Sequence, residues 1–356
     1  MKQRIKTGLF MFALTSILCG CGEEDFLRRS DLVNPQLIYT NLSIDIDWLT
    51  KYGDLPTGMT IYTFGKNTGT QYELSADVNT IDLYRNADSY KVMVFSLTPS
   101  EYGSLHFEDL DNSQKAAAML NRYECTDGWN QGTTYQYEPE KIGASVDTLD
   151  LTPQMVEKTL CWQLAHKNCQ ECLEGDTTKA IFKALPISLT KEFTIKVRIK
   201  GIKYAKSVVG EISGLADGWM LALEHATETT GINRLNEWIA NVKTSDDKDG
   251  WITKTITTFG LPYGNDIAGN RNDSDNVLKL YFELVDGKTT ISYSYNVGNM
   301  IKYSEDGNLI LIIDTDISES QPMPNLPKVE PKGNDNGGIN AHVGDWGNGG
   351  DVIMPA

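Results

Sequence analysis

Four soft ligands lie close together in the chain: Cys161, His166, Cys169 and Cys172. Thiolates and an imidazole at this spacing could surround a tetrahedral zinc ion, and the Cys-x2-Cys pair has the spacing of a zinc knuckle. In an oxidising compartment, however, thiols pair with each other, and Cys125 supplies a fourth thiol beside the three of the cluster. The residues therefore allow disulfides in three connectivities, free structural thiols or a metal site, and we favour a structural role. A thioredoxin-like redox pair would need a βαβ pattern that the chain lacks.

Two other groups of residues could bind a ligand. The oxygen-rich segment 272–276 could hold calcium, but it lacks the later glycine and glutamate of an EF-hand, which favours a solvated loop. Trp219, Trp238 and Trp251 could form a stacking platform for sugars, although single aromatic residues in strands more often belong to a core. The sequence contains no nucleophile elbow, phosphate-binding glycine loop or zinc-protease motif. We predict no catalytic residue, no cofactor and no enzymatic activity.

Composition narrows the class of partner. The 356 residues include 32 Lys and Arg against 48 Asp and Glu, which gives a formal charge of -16. Because nucleic-acid binding needs a basic face, this balance argues against such a partner. The apolar content of 40% is enough for folded domains, and the length allows two of them.

The first 20 residues have the pattern of a lipoprotein signal peptide. Basic residues precede an apolar stretch, 8–18, that is too short to span a membrane comfortably. The end of the stretch, Leu18-Cys19-Gly20-Cys21, resembles a bacterial lipobox. It predicts Cys21 as the lipidated residue, because the bulky Leu18 precedes Cys19. An ordinary secretory signal peptide with incidental cysteines is the alternative.

The residues after Cys21 indicate where the lipid places the protein. Glu23, Glu24 and Asp25 resemble the surface-export signal of Bacteroidota lipoproteins, with a generic polar tether as the alternative. No later segment is apolar enough to span a membrane. We therefore expect a protein held in the outer membrane by lipid alone, with palmitate as an acyl group, and facing the cell exterior.

Most of the mature chain has the pattern of short strands. Apolar and polar residues alternate over 42–48, 193–200 and 278–297, and the last of these contains an Asp-Gly turn typical of a hairpin. The near-continuous apolar run 90–97 predicts a central strand. Two segments, 112–121 and 151–166, predict short helices instead. Many short strands with turn signals between them indicate β-sandwiches.

Several segments, in this order, resemble the fimbrillin-like lipoproteins of Bacteroidales, the FimB/Mfa-type fimbrial anchor proteins and their uncharacterised relatives. Besides the lipobox and the early strand ending in Trp48, they are residues 55–62, 81–85, 90–95, 208–215, 258–262 and 337–346. The resemblance implies a mainly β fold with two transthyretin-like β-sandwich domains in tandem and short helices in the connection.

The resulting division of the chain has five parts. They are a signal peptide (1–20), a lipidated acidic tether (21–35), an N-terminal β-sandwich with a cysteine-containing helical insert (36–183), a C-terminal β-sandwich (184–317) and a Pro/Gly-rich arm (318–356). The cysteine-rich insert departs from the family pattern. The early candidates for cleavage after arginine, Arg28 and Arg29, lie in the tether, which favours an anchor over a polymerising stalk subunit.

The resemblance implies a structural role at the cell surface. The leading hypothesis is a lipid-anchored anchor or accessory subunit of a fimbria-like assembly, acting in adhesion by β-strand pairing with another subunit. The alternative is a surface lipoprotein that binds a glycan or a protein and has no role in fimbriae.

Overall fold

The computed structural model describes residues 40–69, 71–76, 80–126, 128–152, 180–242, 249–265, 270–332 and 352–353. One turn of α-helix, α1 (Trp48–Lys51), and several 3-10 turns occur among strands in this part of the chain. The strands are β1 (Thr40–Ile46), β2 (Met59–Gly65), β3 (Gln71–Ala76), β4 (Thr80–Arg85), β5 (Asp88–Ser96), β6 (Leu105–Glu108), β7 (Ala117–Leu120), β8 (Arg122–Glu124), β9 (Thr134–Gln136), β10 (Gly143–Leu151), β11 (Ala180–Ala184), β12 (Ile187–Ser188), β13 (Lys191–Lys200), β14 (Ala205–Ala216), β15 (Gly218–Met220), β16 (His225–Ala226), β17 (Thr230–Leu235), β18 (Ile239–Val242), β19 (Asp249–Thr258), β20 (Val277–Leu284), β21 (Thr290–Asn296), β22 (Lys302–Tyr303), β23 (Leu309–Ile313) and β24 (Val352–Ile353).

These strands form five sheets. In order of neighbouring strands they are sheet I (β11-β1-β4), sheet II (β12-β10-β5-β2-β3), sheet III (β16-β15-β7-β6), sheet IV (β21-β20-β14-β17-β9-β8) and sheet V (β22-β23-β13-β19-β18-β24). The chain is therefore mainly β, as predicted.

Sheet II lies between two apolar cores. Ile61 and Val92 on one face pack with residues of sheet I, while Tyr62 and Phe95 on the other face pack with residues of sheet III. Because both faces are covered, β2 and β5 are buried along almost their whole length. A strand buried on both faces needs a continuous apolar run, so the predicted central strand at 90–97 is confirmed as β5.

Sheets IV and V pack against each other around a third apolar core, and we call this pair of sheets the second sandwich. The alternation in β13 places Phe193 and Val197 in its core, and Trp238 is completely buried there. The predicted hairpin is β20–β21, joined by residues 285–289. Gly287 has a φ of +65° in this turn, a conformation that glycine adopts without steric cost.

One predicted helix is wrong. Residues 117–120 of the segment 112–121 form β7, which pairs with β6 and β15. Ala116 and Ala118 have no exposed surface, and they belong to the core between sheets II and III. Alanine has the highest intrinsic helix propensity, but propensities amount to less than about 1 kcal/mol per residue for most residue types, and the packing of small side chains between two sheets overrides that preference.

Two other element boundaries also differ from expectation. The first strand ends at Ile46, because Asp47 caps the helix α1 that begins at Trp48; its carboxylate accepts hydrogen bonds from the backbone N–H groups of Leu49 and Thr50. Of the predicted helix 151–166, Leu151 ends β10, and residues 153–166 lie outside the described residues.

Strands from the first half of the chain join the second sandwich. The hairpin β8–β9 lies at one end of sheet IV, where Gln136 of β9 pairs in parallel with Asn233 of β17. The predicted domain boundary at residue 183 remains a prediction, and this hairpin crosses it.

The beginning of the Pro-rich arm packs on the second sandwich. The hydroxyl of Tyr293 donates to the carbonyl of Asn325 at 2.9 Å, and the N–H of Lys200 donates to the carbonyl of Pro324 at 2.9 Å. Leu326 is buried in the same core. In the described ranges we find no helix with the length and apolar character needed to cross a membrane.

Candidate interaction edges

Strand β3 forms one end of sheet II. It pairs with β2 from Met59↔Ala76 to Phe64↔Gln71, and within the described ranges no strand pairs with its other side. Most of its side chains are exposed to solvent. Because the outer strand of a sheet presents a row of backbone N–H and C=O groups, β3 can pair with a strand of another protein.

Side-chain contacts hold β3 in place. The guanidinium of Arg85 lies 4.0 Å from the centre of the Tyr72 ring, and the side chain of Gln71 donates to the carbonyl of Leu110 at 3.2 Å. Burial lowers the pKa of Arg85 from its ordinary value, and the neighbouring Tyr72 and Tyr90 act in the opposite direction. The open edge is therefore a fixed strand rather than a loop.

In the second sandwich, distant parts of the chain add strands at one end of each sheet. The hairpin β8–β9 covers one end of sheet IV. At one end of sheet V, Ile239 and Ala240 of β18 pair with Ile353 and Val352 of β24. β24 follows β18 by more than a hundred residues in the chain. The edge of β18 therefore pairs with a strand from a distant segment.

Only one predicted site residue of the cysteine group lies in the described ranges. Cys125 is buried, and the guanidinium of Arg234 donates to its Sγ at 3.4 Å. The predicted lipid attachment residue and the other predicted disulfide or metal residues lie outside the described residues: Cys21, Cys161, His166, Cys169 and Cys172. The lipidation, the disulfides and the metal alternative all remain predictions.

The oxygen-rich segment 272–276 forms a capped turn. The carboxylate of Asp275 accepts a hydrogen bond from the backbone N–H of Asn272 at 2.8 Å. Asn276 is buried, and its side chain donates to the carbonyl of Ser213 at 3.1 Å. Across the part of the chain that the structure describes, no group of three or more His, Cys, Asp or Glu residues is placed to hold a metal ion.

The three tryptophans considered for sugar binding lie in different places. Trp238 belongs to the core, and its indole N–H donates to the carbonyl of Leu235 at 3.1 Å. Trp219 packs near Phe259 with a ring-centre distance of 6.5 Å. Trp251 lies on β19 and is partly exposed. They do not form one platform.

A buried polar network joins residues from the first and second halves of the chain, and no motif in the sequence predicted it. Glu211 on β14 accepts hydrogen bonds from the ammonium group of Lys279 at 2.8 Å and from the hydroxyl of Tyr135 at 2.8 Å. The side chain of Asn130 also donates to Glu211, and the ring of Trp129 stacks on that of Tyr281. The bond to Glu211 raises the pKa of Lys279. This network attaches the hairpin β8–β9 to the outward face of sheet IV.

Residues 28–233 match a family described as "Domain of unknown function (DUF5119)". No curated protein matches the chain in sequence.

Several solved structures are similar to this chain. A candidate adhesin from Bacteroides ovatus is 16% identical, with a TM-score of 0.53, over 84% of this chain and 98% of that chain. The fimbrial anchor protein of Porphyromonas gingivalis is 11% identical, with a TM-score of 0.38, over 68% of this chain and 77% of that chain. A candidate polysaccharide-binding protein from Bacteroides thetaiotaomicron is 9% identical, with a TM-score of 0.45, over 80% and 94%. The first of these matches shows the fold of this chain, in agreement with the mainly β fold that the resemblance implies.

Proposed function

The chain belongs to the DUF5119 family, and we propose that it is a structural protein of the bacterial surface, an anchor or accessory subunit of a fimbria-like assembly that acts in adhesion. The observation that carries the proposal is the edge of β3, a fixed six-residue strand whose outer side has no paired strand within the described ranges. A strand of a partner subunit would extend sheet II there by backbone hydrogen bonds. The fold shared with the B. ovatus adhesin agrees with such a role.

Attachment to the membrane is part of the same proposal. A diacylglyceryl group on Cys21, followed by the acidic residues Glu23, Glu24 and Asp25, would hold the protein in the outer membrane facing outward. The proposed role is mechanical and adhesive, with no catalytic step.

Site-specific photo-crosslinking in the native bacterium tests the edge directly. Glu73 is exposed on β3, and Ser292 is exposed on β21 at the end of a different sheet. A photo-reactive phenylalanine analogue at each position reports which edge contacts another protein. We expect a covalent adduct with a second β-sandwich subunit from position 73 and none from position 292. No adduct at position 73, or equal adducts at both positions, would contradict pairing at β3.

Affinity purification of the full-length lipoprotein from its native surface tests the class of assembly. Mass spectrometry should identify another β-sandwich subunit in an SDS-resistant ladder. Recovery of the protein alone, or with a transporter complex, would contradict a fimbrial role and favour a surface binding protein.

A further inference from the structure

The outward face of sheet V presents side chains in register on neighbouring strands. Trp251 on β19 pairs with Arg198 on β13 and with Asn241 on β18, so these three side chains lie side by side on the face opposite the core. The next row, two residues along the strands, contains Lys196 and Thr253, with Ile312 and Ile239 on either side of them. The two rows are about 7 Å apart, the repeat of two residues in a strand.

A further row adds hydroxyl groups to this face. The hydroxyls of Thr194 and Thr255 lie 3.0 Å apart and form a hydrogen bond. Thr255 and Lys196 are exposed, and Trp251 is partly exposed. Threonine hydroxyls both donate and accept hydrogen bonds, as the hydroxyls of a sugar do.

The charge of this face is opposite to that of the whole chain. Its strand positions contain four basic and two acidic residues: Lys196, Arg198, Lys200 and Lys302 against Glu192 and Asp249. In the full chain, acidic residues outnumber basic ones by 48 to 32. Because salt screens exposed charges beyond about 8 Å at physiological ionic strength, a ligand on this face responds mainly to the local basic residues.

Arg198 already binds a carboxylate. Its Nη2 lies 3.1 Å from Oδ2 of Asp249, and 42% of its side chain remains exposed. A guanidinium presents five N–H donors in a planar fork that matches carboxylates. Trp251 next to it offers a ring face of the kind on which the apolar side of a sugar ring stacks.

We propose that the outward face of sheet V binds a carboxylate-bearing polysaccharide, with Trp251 stacking on a sugar ring and with Lys196 and Arg198 pairing with its uronate groups. Hydroxyl, amide, basic and aromatic side chains in register on this face fit an extended polar chain. The exposed Ile239 and Ile312 belong to the same row as Lys196 and Thr253, and these two polar residues separate them, so they form no contiguous apolar patch with each other. This binding does not require strand pairing, because it uses the face of a sheet rather than an edge.

Affinity electrophoresis of the detergent-solubilised full chain tests the proposal. The probe is polygalacturonate, and its fully methyl-esterified form is the neutral probe with the same backbone. We expect retardation by the acidic polymer only. Lys196→Gln or Arg198→Gln should raise the Kd about tenfold, the effect of losing one charge-assisted hydrogen bond. Trp251→Thr, which keeps a β-branched residue in the strand, should raise the Kd about tenfold by removing the stacking surface.

Two matched variants separate this face from general effects. Lys206→Gln removes the same charge from β14 in the other sheet, where Lys206 pairs with Glu283, and Tyr263→Ser removes an exposed aromatic ring from a loop. Both should leave the Kd within about twofold, a difference below 0.5 kcal/mol. The proposal is overturned if polygalacturonate causes no retardation or if the neutral polymer retards the protein equally. It is also overturned if Lys206→Gln weakens binding as much as Lys196→Gln, or if the face variants reduce binding to vesicles of anionic phospholipid and not to the polymer.

Discussion

Arg122 at the start of β8 pairs with Asp217, the residue between β14 and β15: Nη2 of Arg122 lies 2.6 Å from Oδ2 of Asp217. Only 4% of the Asp217 side chain is exposed, and its Oδ1 accepts hydrogen bonds from the hydroxyls of Thr227 at 2.8 Å and Thr229 at 2.7 Å. A buried carboxylate is tolerated when its oxygens have such partners. The pair therefore fixes where a strand from the first half of the chain meets the second sandwich.

Asp217→Asn should lower the free energy of unfolding by about 1–3 kcal/mol, since it replaces charge-assisted hydrogen bonds by weaker ones and leaves Arg122 without its counter-ion. Urea unfolding followed by circular dichroism measures this. Asp54→Asn is the matched control, because the Asp54–Lys141 pair is largely exposed and should contribute less than about 0.5 kcal/mol. Equal losses of unfolding free energy in the two variants would show that the buried Asp217 contributes no more to stability than an exposed carboxylate.

Gly214→Ala should lower the free energy of unfolding by about 3 kcal/mol or more, because it combines backbone strain with a collision. Gly214 has a φ of +82° at an irregularity in β14, and a Cβ there would collide with the carbonyl oxygen of Asp275. Gly307 has a φ of +81° with no atom within 4 Å of an added Cβ. Gly307→Ala should therefore show the strain alone, about 1–2 kcal/mol. A smaller loss for Gly214→Ala than for Gly307→Ala would contradict the packing around β14.

The sequence predicted elements whose pattern is local. Alternation over residues 193–200 predicts β13 because one face of that strand is buried and the other is exposed. The alanines at 116–118 misled the prediction, since alanine has a high helix propensity whereas packing against another sheet decides the conformation here. The Arg122–Asp217 pair could not be predicted, because 95 residues separate its members and no periodicity marks them.

The sequence predicted what type of surface could bind a partner, but not where in the fold that surface lies. Strand pairing at an edge follows from any β-sandwich, but the position of β3 at the end of sheet II depends on how the strands are ordered. Likewise, Trp251 was noted as an aromatic residue, whereas its neighbours Arg198 and Asn241 come from strands that pair with β19 only in the folded chain.

Thr289→Val should raise the pKa of Asp286 from about 2 toward its ordinary value of 3.8. The hydroxyl of Thr289 and the backbone N–H groups of Thr289 and Lys288 bind the ionised carboxylate in the β20–β21 turn and hold its pKa low. Because the folded-state pKa is depressed, the contribution of this group to stability is present above pH 3.8 and is lost as the pH falls through about 2. Carbon-detected NMR titration of the Asp286 carboxyl measures the shift.

The control for this titration is Thr290→Val, one residue further along in β21. The hydrogen bonds to the Asp286 carboxylate come from Lys288 and Thr289 and not from the Thr290 hydroxyl, so the pKa of Asp286 should stay at about 2. A similar rise in both variants would assign the effect to the turn as a whole rather than to the Thr289 hydroxyl.

Cys21→Ser should move the protein from the outer-membrane fraction to the soluble fraction, because we predict lipid as its anchor and serine lacks the acceptor thiol. Metabolic labelling with an alkyne-bearing fatty acid and fractionation of the cells measure both lipid and location. Cys19→Ser is the matched control and should keep the label and the membrane location. Loss of the label in Cys19→Ser but not in Cys21→Ser would move the modification to Cys19.

A reducing agent should lower the Tm of the protein by several degrees, and a chelator should leave it unchanged. This result follows if Cys125, Cys161, Cys169 and Cys172 form disulfides, because one such bond contributes about 2–4 kcal/mol and 1 kcal/mol corresponds to about 2–4 °C in a domain of this size. Thermal unfolding by circular dichroism, with alkylation of thiols before and after reduction, measures both.

A zinc site held by Cys161, His166, Cys169 and Cys172 predicts the opposite, a Tm that falls with the chelator and one bound zinc ion per chain in elemental analysis. Cys125→Ser separates the two outcomes further: with a disulfide to Cys125 it exposes one new alkylatable thiol, whereas with the zinc site it leaves the alkylation of the other cysteines unchanged.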